Sequence, residues 1–448
     1  MGDIDAIFKA YDVRGLAPEE LDAELSRNIG AAFARFVSDA EDARAIVVGH
    51  DMRPTGPEFA AAFAEGAMSQ GVDVIDVGLM STDMLYFASG SMDVPGAVFT
   101  ASHNPAGYNG IKMCLRAAAP LGADSGLLEV KETARSPLPP RGISGRRTEQ
   151  TILDGFAEHV LSFVDVEGLR PLKVVADTAN GMGGLVVPAV FDSLPFDLEI
   201  MYEELDGTFP NHPADPLQES NLVDLKRRVL EVGADIGLAF DGDADRVFLV
   251  DGEAEGVSGS LTTALVAQQI LDREPGATIL HNLICSKVVP ELVGELGGTA
   301  VKTRVGHSFI KAVMKETGAA FGGEHSGHYY FRDNYRADSG LIAAVVVLAA
   351  MSKSGRSLAD LVAPLRRYEA SGELNTTVAD TDAVIEHVSS VFAAAHQDRL
   401  DGLTVDMGDW WFNLRASNTE PLLRLNLEAP TAAEVGRRVA EVRAHMAL

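Results

Sequence analysis

Cysteine is almost absent: Cys114 and Cys285 are the only two in 448 residues. They lie far apart and without metal-ligand spacing, which excludes a disulfide framework and a cysteine metal centre and fits a reducing cytoplasm. Basic residues are scarce beside acidic ones, 37 Lys and Arg against 65 Asp and Glu, for a formal net charge of −28. A field of that sign repels nucleic-acid backbone and anionic lipid, so neither is expected as a partner. A small anionic substrate requires a local pocket where Arg, Lys and backbone N–H groups are concentrated. Long apolar runs are missing as well. The longest, Leu341 to Met351, has 11 residues, against the ~20 that span a bilayer, and is expected as a buried helix. The N-terminus Met1 to Ala6 has neither the basic and apolar regions of a secretory signal nor the Ser or Thr of a myristoylation signal, so a cytoplasmic protein is expected. Low-complexity tracts and short-period repeats are absent too.

What is present is an ordinary soluble composition, 46% apolar and 23% charged, with length enough for two to four domains. Strand-like runs alternate with Ala-rich helical stretches: Ala45 to Gly49, a helix near Pro57 to Gln70, then Val72 to Val77. This βαβ rhythm of a mostly parallel, helix-covered sheet restarts at Leu172 to Asp177 and again at Ala277 to Leu280. The Pro-rich stretch Ser136 to Gly142, the Asp251-Gly252 turn and the region Leu365 to Gly372 are the natural breaks. They divide the chain into α/β domains over 1–140, 141–252 and 253–368, and a smaller C-terminal α+β domain over 369–448. The last contains strands near Thr376 to Val378 and Leu422 to Leu427, then a helix from Ala432 to His445.

Each domain carries one polar, glycine- or turn-rich loop. The first, Thr100-Ala101-Ser102-His103-Asn104-Pro105, follows the apolar run Gly96 to Phe99. A serine at a strand's end, before a turn-forming Asn-Pro, presents its hydroxyl as a nucleophile on a rigid scaffold; a capped turn would look the same. The second places Asp241, Asp243 and Asp245 between two apolar runs. Alternate carboxylates converge on one hard cation that relieves their repulsion. An EF-hand fails here, because Arg246 stands where Gly is needed and Gly252 where a bidentate Glu is needed. Three carboxylates with a side open to phosphate oxygen suit Mg²⁺. In the third loop, Phe321 to Tyr329, small residues allow close approach while Glu324, Ser326 and His328 supply donors and acceptors for sugar hydroxyls. Its His-x-x-His pair lacks an evident third metal ligand. The fourth, Arg415-Ala416-Ser417-Asn418-Thr419-Glu420-Pro421 with Arg424 beyond, offers guanidinium, hydroxyl, amide and backbone N–H groups to a phosphate, although an ordinary surface turn fits it equally.

Together the loops specify a phosphorylated sugar, a divalent cation and a serine nucleophile. With them in this order, and with Lys9-Ala10-Tyr11-Asp12-Val13-Arg14-Gly15 near the start, the chain resembles the α-D-phosphohexomutase superfamily nearly end to end. Within it, the chain is similar to the bacterial phosphomannomutase/phosphoglucomutase group. The resemblance implies three similar α/β domains with mixed sheets and a smaller fourth one around a central cleft. It implies reversible interconversion of hexose 1-phosphate and hexose 6-phosphate, of mannose or glucose, through phosphorylated Ser102 and a hexose 1,6-bisphosphate that also serves as activator. Asp241, Asp243, Asp245 and the phosphorylated Ser102 are the implied Mg²⁺ ligands.

Lys112, His307, Arg14, Arg246 and His328 match family positions near the transferring phosphate or the sugar, with Tyr11 beside them. Glu324 and Ser326 are implied to contact the 3- and 4-hydroxyls, and Arg415, Ser417, Asn418, Thr419 and Arg424 the phosphate that is not transferred. Lys287 is only a loose match. His325 and Asn418 depart from the Gln and Gly of phosphoglucosamine mutases, and His325 also from the Met of some dual-specificity relatives. A phosphoglucosamine mutase is the alternative within the class. A phospho-sugar phosphatase or inactive phospho-sugar-binding protein is the alternative outside it, since a phosphoenzyme that admits water hydrolyses. A monomer or small homo-oligomer is expected.

Overall fold

A computed structural model describes residues 4–416 and 422–446. The chain forms two compact units, one of Met1–Ser258 with Ser326–Ala359 and one of Gly259–His325 with Asp360–Leu448.

In the first unit, β-branched and alanine-rich runs form two sheets. One has six strands in the order Val13–Leu16, Tyr108–Cys114, Gly96–Phe99, Ala45–His50, Asp73–Leu79, Arg147–Glu149. The last four run parallel, and Tyr108–Cys114 lies antiparallel between its two neighbours. The mixed sheet follows from the chain: helices return it to the parallel strands, whereas a short loop after Phe99 turns it straight back. Helices Ala23–Glu41 and Gly56–Ser69 cross closely because Gly30 and Gly66 leave room for backbone. A Cβ on either would stand 2.1 Å from Phe63 O or 2.0 Å from Arg27 O. Phe33, Phe63 and Phe99 pack through this crossing onto the sheet, the last pair edge to face. Asp22 caps the first of these helices by accepting from Leu25 N at 2.8 Å.

The second sheet has the order Gly256–Val257, Val247–Asp251, Ile236–Phe240, Lys173–Asp177, Asp197–Met201 and is again mixed. The long apolar run is a 15-residue helix, Gly340–Ser354, buried from Gly340 to Ser352, as the sequence leads one to expect. Among the described residues no single helix is long and apolar enough to cross a membrane.

In the second unit, Thr299–Thr303, Thr278–Asn282 and Phe321–Gly323 run parallel in that order. The C-terminal part is an antiparallel sheet, Glu369–Thr377, Leu422–Ala429, Trp411–Ala416, Leu403–Asp406, His396–Asp398, backed by helices Thr381–Val391 and Ala432–Met446. Its first strand starts before the residues the sequence marks. The stretch from Glu369 is largely polar and exposed, but it pairs with the buried strand Leu422–Ala429 on both sides of a register shift between Ala370 and Glu373. Phe392, Trp410 and Phe412 centre the core beneath. Mixed α/β layers followed by a C-terminal α+β part agree with the expected fold class.

Candidate active site

Strand Gly96–Phe99 is buried throughout, so Thr100 to Pro105 leaves the sheet at a fixed point. Ser102 is 4% exposed and takes a left-handed φ of 49°, a conformation that costs a non-glycine residue about 1–2 kcal/mol. Strand Ile236–Phe240, equally buried, delivers Asp241, Asp243 and Asp245, all 0% exposed. The two loops meet. The Ser102 hydroxyl donates to Asp241 Oδ2 at 2.9 Å, and a Cβ on Gly242 would stand 2.4 Å from Ser102 O. Only glycine admits that approach.

The three carboxylates bring one oxygen each within 4.8 Å of one another. Two cations answer them. Lys112, on the antiparallel strand Tyr108–Cys114, places Nζ 2.7 Å from Asp243 Oδ2 and 2.7 Å from Asp245 Oδ2. Arg246 donates from Nε to Asp241 Oδ2 at 2.9 Å, and its Nη2 lies 2.7 Å from His103 Nδ1. Burial alone would raise Asp243, yet Lys112's charge and the hydrogen bonds from Lys112 and Thr82 hold it well below the usual carboxylate range. Asp241 and Asp245 are pushed up, first by burial and then against the neighbouring carboxylates. The carboxylates raise the Lys112 ammonium well above its ordinary value despite burial. Burial, and then Arg246 and Arg14, hold His103 down to about 3, so it is neutral and accepts from Arg246.

Asp243 Oδ1 and Asp245 Oδ1 are buried without a hydrogen-bond partner. Orphaned carboxylate oxygens are costly unless something cationic completes them. Hard oxygens facing one point suit a hard divalent cation, so the acidic cluster fits a metal.

The other expected residues fall as follows. Arg14 donates to Asn104 Oδ1 at 2.7 Å and to Asp12 Oδ2 at 2.5 Å, which brings it to the serine loop; Tyr11 is 40% exposed nearby in sequence. His328 Nε2 lies 3.9 Å from Asp245 Oδ1, its Nδ1 lies 2.9 Å from Ser326 Oγ, and Asp338 completes an acidic surround. Glu324 is buried, with Oε1 accepting from Asn282 Nδ2 and from Gly306 N, both at 3.2 Å. His325 Nδ1 is 3.2 Å from Asn282 Nδ2, and burial holds its ring down to about 4. Arg415 and Arg424 share one carboxylate, Glu373, at 3.1 and 3.4 Å. Lys287 is held by Asp406 Oδ1 at 3.0 Å and Gly408 O at 2.7 Å. Ser417, Asn418, Thr419 and the side chain of His307 lie outside the described residues. Thr82, His103, Asp338 and Glu373 were not singled out by sequence. Each acts on a partner far along the chain or looks like an ordinary turn or strand residue.

Four family descriptions match the chain in order. Phosphoglucomutase/phosphomannomutase alpha/beta/alpha domain I matches residues 5–135, domain II 154–256, domain III 258–368, and the C-terminal domain 373–445. The chain is 40% identical over 429 residues to "Phosphohexose mutases" of Xanthomonas campestris pv. campestris, covering 94% of each. It is 39% identical over 434 residues to a phosphomannomutase of Salmonella montevideo, again covering 94% of each. A crystal structure of a phosphoglucomutase/phosphomannomutase family protein from Burkholderia thailandensis superposes with a TM-score of 0.91 at 33% identity, covering 100% of this chain and 98% of that one.

Proposed function

Because this chain belongs to the phosphoglucomutase/phosphomannomutase family, a family of hexose phosphate mutases, we propose that Ser102 carries its phosphoryl group and that mannose and glucose phosphates are its substrates. Phosphoserine102 gives its phosphoryl group to the free hydroxyl of a hexose 1-phosphate. The sugar oxygen bonds to phosphorus, the Ser102 Oγ–P bond breaks, and the hydroxyl's proton passes to a base. The resulting hexose 1,6-bisphosphate turns over and returns its other phosphoryl group to Ser102, leaving hexose 6-phosphate. Nothing is gained or lost overall, as an isomerisation demands.

The observation that carries this reading is the 2.9 Å hydrogen bond from Ser102 to Asp241, in a loop whose Asp243 and Asp245 each bury one oxygen without a hydrogen bond. Asp241, Asp243, Asp245 and the phosphorylated Ser102 would hold Mg²⁺. Bound there, the ion supplies charge neutralisation on the transferring phosphoryl group, the main requirement of this chemistry. Arg246 spans the Asp241 carboxylate and His103, which fixes its guanidinium beside Ser102 to receive phosphoryl oxygens. Lys112 bridges Asp243 and Asp245, holds Asp243 ionised and neighbours the same group. His328, oriented by Ser326 and close to Asp245, is the side chain proposed to take and return the hydroxyl proton. Glu324 and Ser326 read the sugar, and Arg415 and Arg424, with Ser417 to Thr419, hold the phosphate that stays.

Ser102→Ala tests the carrier. Activity should fall by three orders of magnitude or more with the fold intact, and intact-mass measurement should find a phosphate adduct on wild-type protein and none on the variant. Near-wild-type turnover by the variant overturns the assignment.

A further inference from the structure

Behind the serine loop lies a second arginine that touches neither the carboxylate cluster nor any residue assigned to substrate. Arg53 is 1% exposed. Its Nη1 donates to Pro105 O at 2.9 Å and Tyr108 O at 2.8 Å, and its Nη2 to Ser102 O at 3.0 Å and Asn104 O at 2.7 Å. One guanidinium thus gathers three backbone carbonyls of the nucleophile's own loop and the carbonyl of Tyr108, where the next strand starts. Nε lies 3.4 Å from Asp51 Oδ2, and Asp51 is 0% exposed, so the charge is answered where it sits. The far face of the group stacks 5.2 Å from the ring centroid of Phe209. Gly207, two residues earlier, packs so closely that a Cβ there would stand 2.6 Å from Arg53 Cα.

Ser102 sits at a positive φ that an unconstrained serine leaves. Such a conformation persists only where its surroundings over-determine it. A peptide turn with ordinary local bonds does not supply that constraint. A rigid planar fork bonded to the Ser102 carbonyl and to those of Asn104, Pro105 and Tyr108 after it does, because it fixes their mutual positions at once. From this geometry we infer that Arg53 is a positioning residue for phosphoryl transfer: it aims the Ser102 side chain through the backbone and never touches the substrate. This rests on the reading of Ser102 as the phosphoryl carrier. Lysine retains the charge, but three donors on one nitrogen cannot serve four carbonyls.

Arg53→Lys is therefore the informative variant, studied as full-length protein loaded with glucose 1,6-bisphosphate and Mg²⁺. Misplacement of a reacting group by ~1 Å costs on the order of 100-fold. The variant should lose kcat on that scale, with KM for the hexose 1-phosphate within about threefold of wild type, since remote binding groups are untouched. Single-turnover transfer from phosphoserine102 should slow equally, and its ³¹P resonance should shift. A merely structural arginine would lower Tm and leave all three unchanged in the folded protein, and that result overturns the inference, as does a loss carried by KM.

Should Arg53→Lys not fold, Phe209→Leu decides. It removes the ring over which the guanidinium is seated and should cost kcat about threefold to tenfold with KM unchanged; no change in its kcat or transfer rate overturns the inference. Ser102→Ala separates the two readings. If that variant stays active, the carrier assignment fails whatever Arg53 does. If it is inactive while Arg53→Lys turns over normally, only the role of Arg53 fails.

Discussion

Thr82 reaches Asp243 from a helix start 161 residues earlier in the chain, donating Oγ1 to Asp243 Oδ2 at 2.5 Å and its backbone N–H to Asp243 O at 3.2 Å. Ser81, the cap of that helix, lies beside it and donates to Asp83 at 2.5 Å. Asp243 is thereby held by a hydroxyl on one side and the Lys112 ammonium on the other, which leaves its second oxygen to face the other carboxylates. A hydrogen bond to a charged group is worth about 1.5–3 kcal/mol, or roughly tenfold to a hundredfold in a rate or binding constant. Thr82→Val keeps the shape and removes the bond. The Mg²⁺ concentration needed for half-maximal activity should rise by about tenfold or more, and an unchanged metal titration would remove Thr82 from the site.

Metal removal gives a second expectation. EDTA in excess should abolish turnover and added Mg²⁺ should restore it. Replacing Asp241, Asp243 or Asp245 singly with Ala should reduce activity by at least two orders of magnitude, since each removes a hard oxygen ligand. Asp243→Ala also leaves Thr82 without its acceptor and Lys112 with Asp245 alone. Full activity in EDTA contradicts the metal reading.

Sugar choice follows from the third loop. If Glu324 and Ser326 read C3 and C4, the C2 hydroxyl that separates glucose from mannose goes unread. Both 1-phosphates should turn over, with kcat/KM values not separated by the ~10⁴-fold that a hydrogen-bonded discriminating hydroxyl produces. Parallel measurement with mannose, glucose and glucosamine 1-phosphates decides, and glucosamine 1-phosphate as the best substrate overturns the reading.

A pH effect on stability is expected away from the acidic loop. His212 Nε2 lies 3.0 Å from Asp177 Oδ2, at the end of strand Lys173–Asp177. Burial would lower the imidazole, but the hydrogen bond to Asp177 and its charge outweigh this and raise the group above its ordinary 6.5. A raised folded-state value means that the contribution is complete below about pH 6.5 and is lost as the pH climbs through the folded value. The Tm gap between wild type and His212→Gln should be widest near pH 6 and narrow towards pH 8.5. A gap that widens with pH reverses the sign and refutes the pairing.

Much of this was legible in the chain. The strands that lead to Ser102 and Asp241 showed as apolar runs stopped by turn residues, and the spacing of Asp241, Asp243 and Asp245 already pointed to a cation. What sequence left dark depends on long-range pairing. Thr82 reads as a helix start, Arg53 as one arginine beside a proline, and Glu373 as an exposed strand residue until Arg415 and Arg424 meet on it. Lys287 reads as loose charge, whereas its ammonium is tied to Asp406 and the Gly408 carbonyl. Burial is also invisible locally: His103 and His325 sit in polar loops, yet both are half-buried and held neutral.

Gly242 carries one more consequence. Its missing side chain is the whole clearance between the serine loop and the acidic loop, so the two behave as parts machined to fit without a shim. Any attempt to retune one of them, by insertion, by loop grafting or by a larger residue at 242, must shift the other by the same amount. Variation that alters what the protein accepts is therefore expected in the loops around Glu324 and Arg415, while the Ser102 loop and the acidic triplet can be moved only as one block.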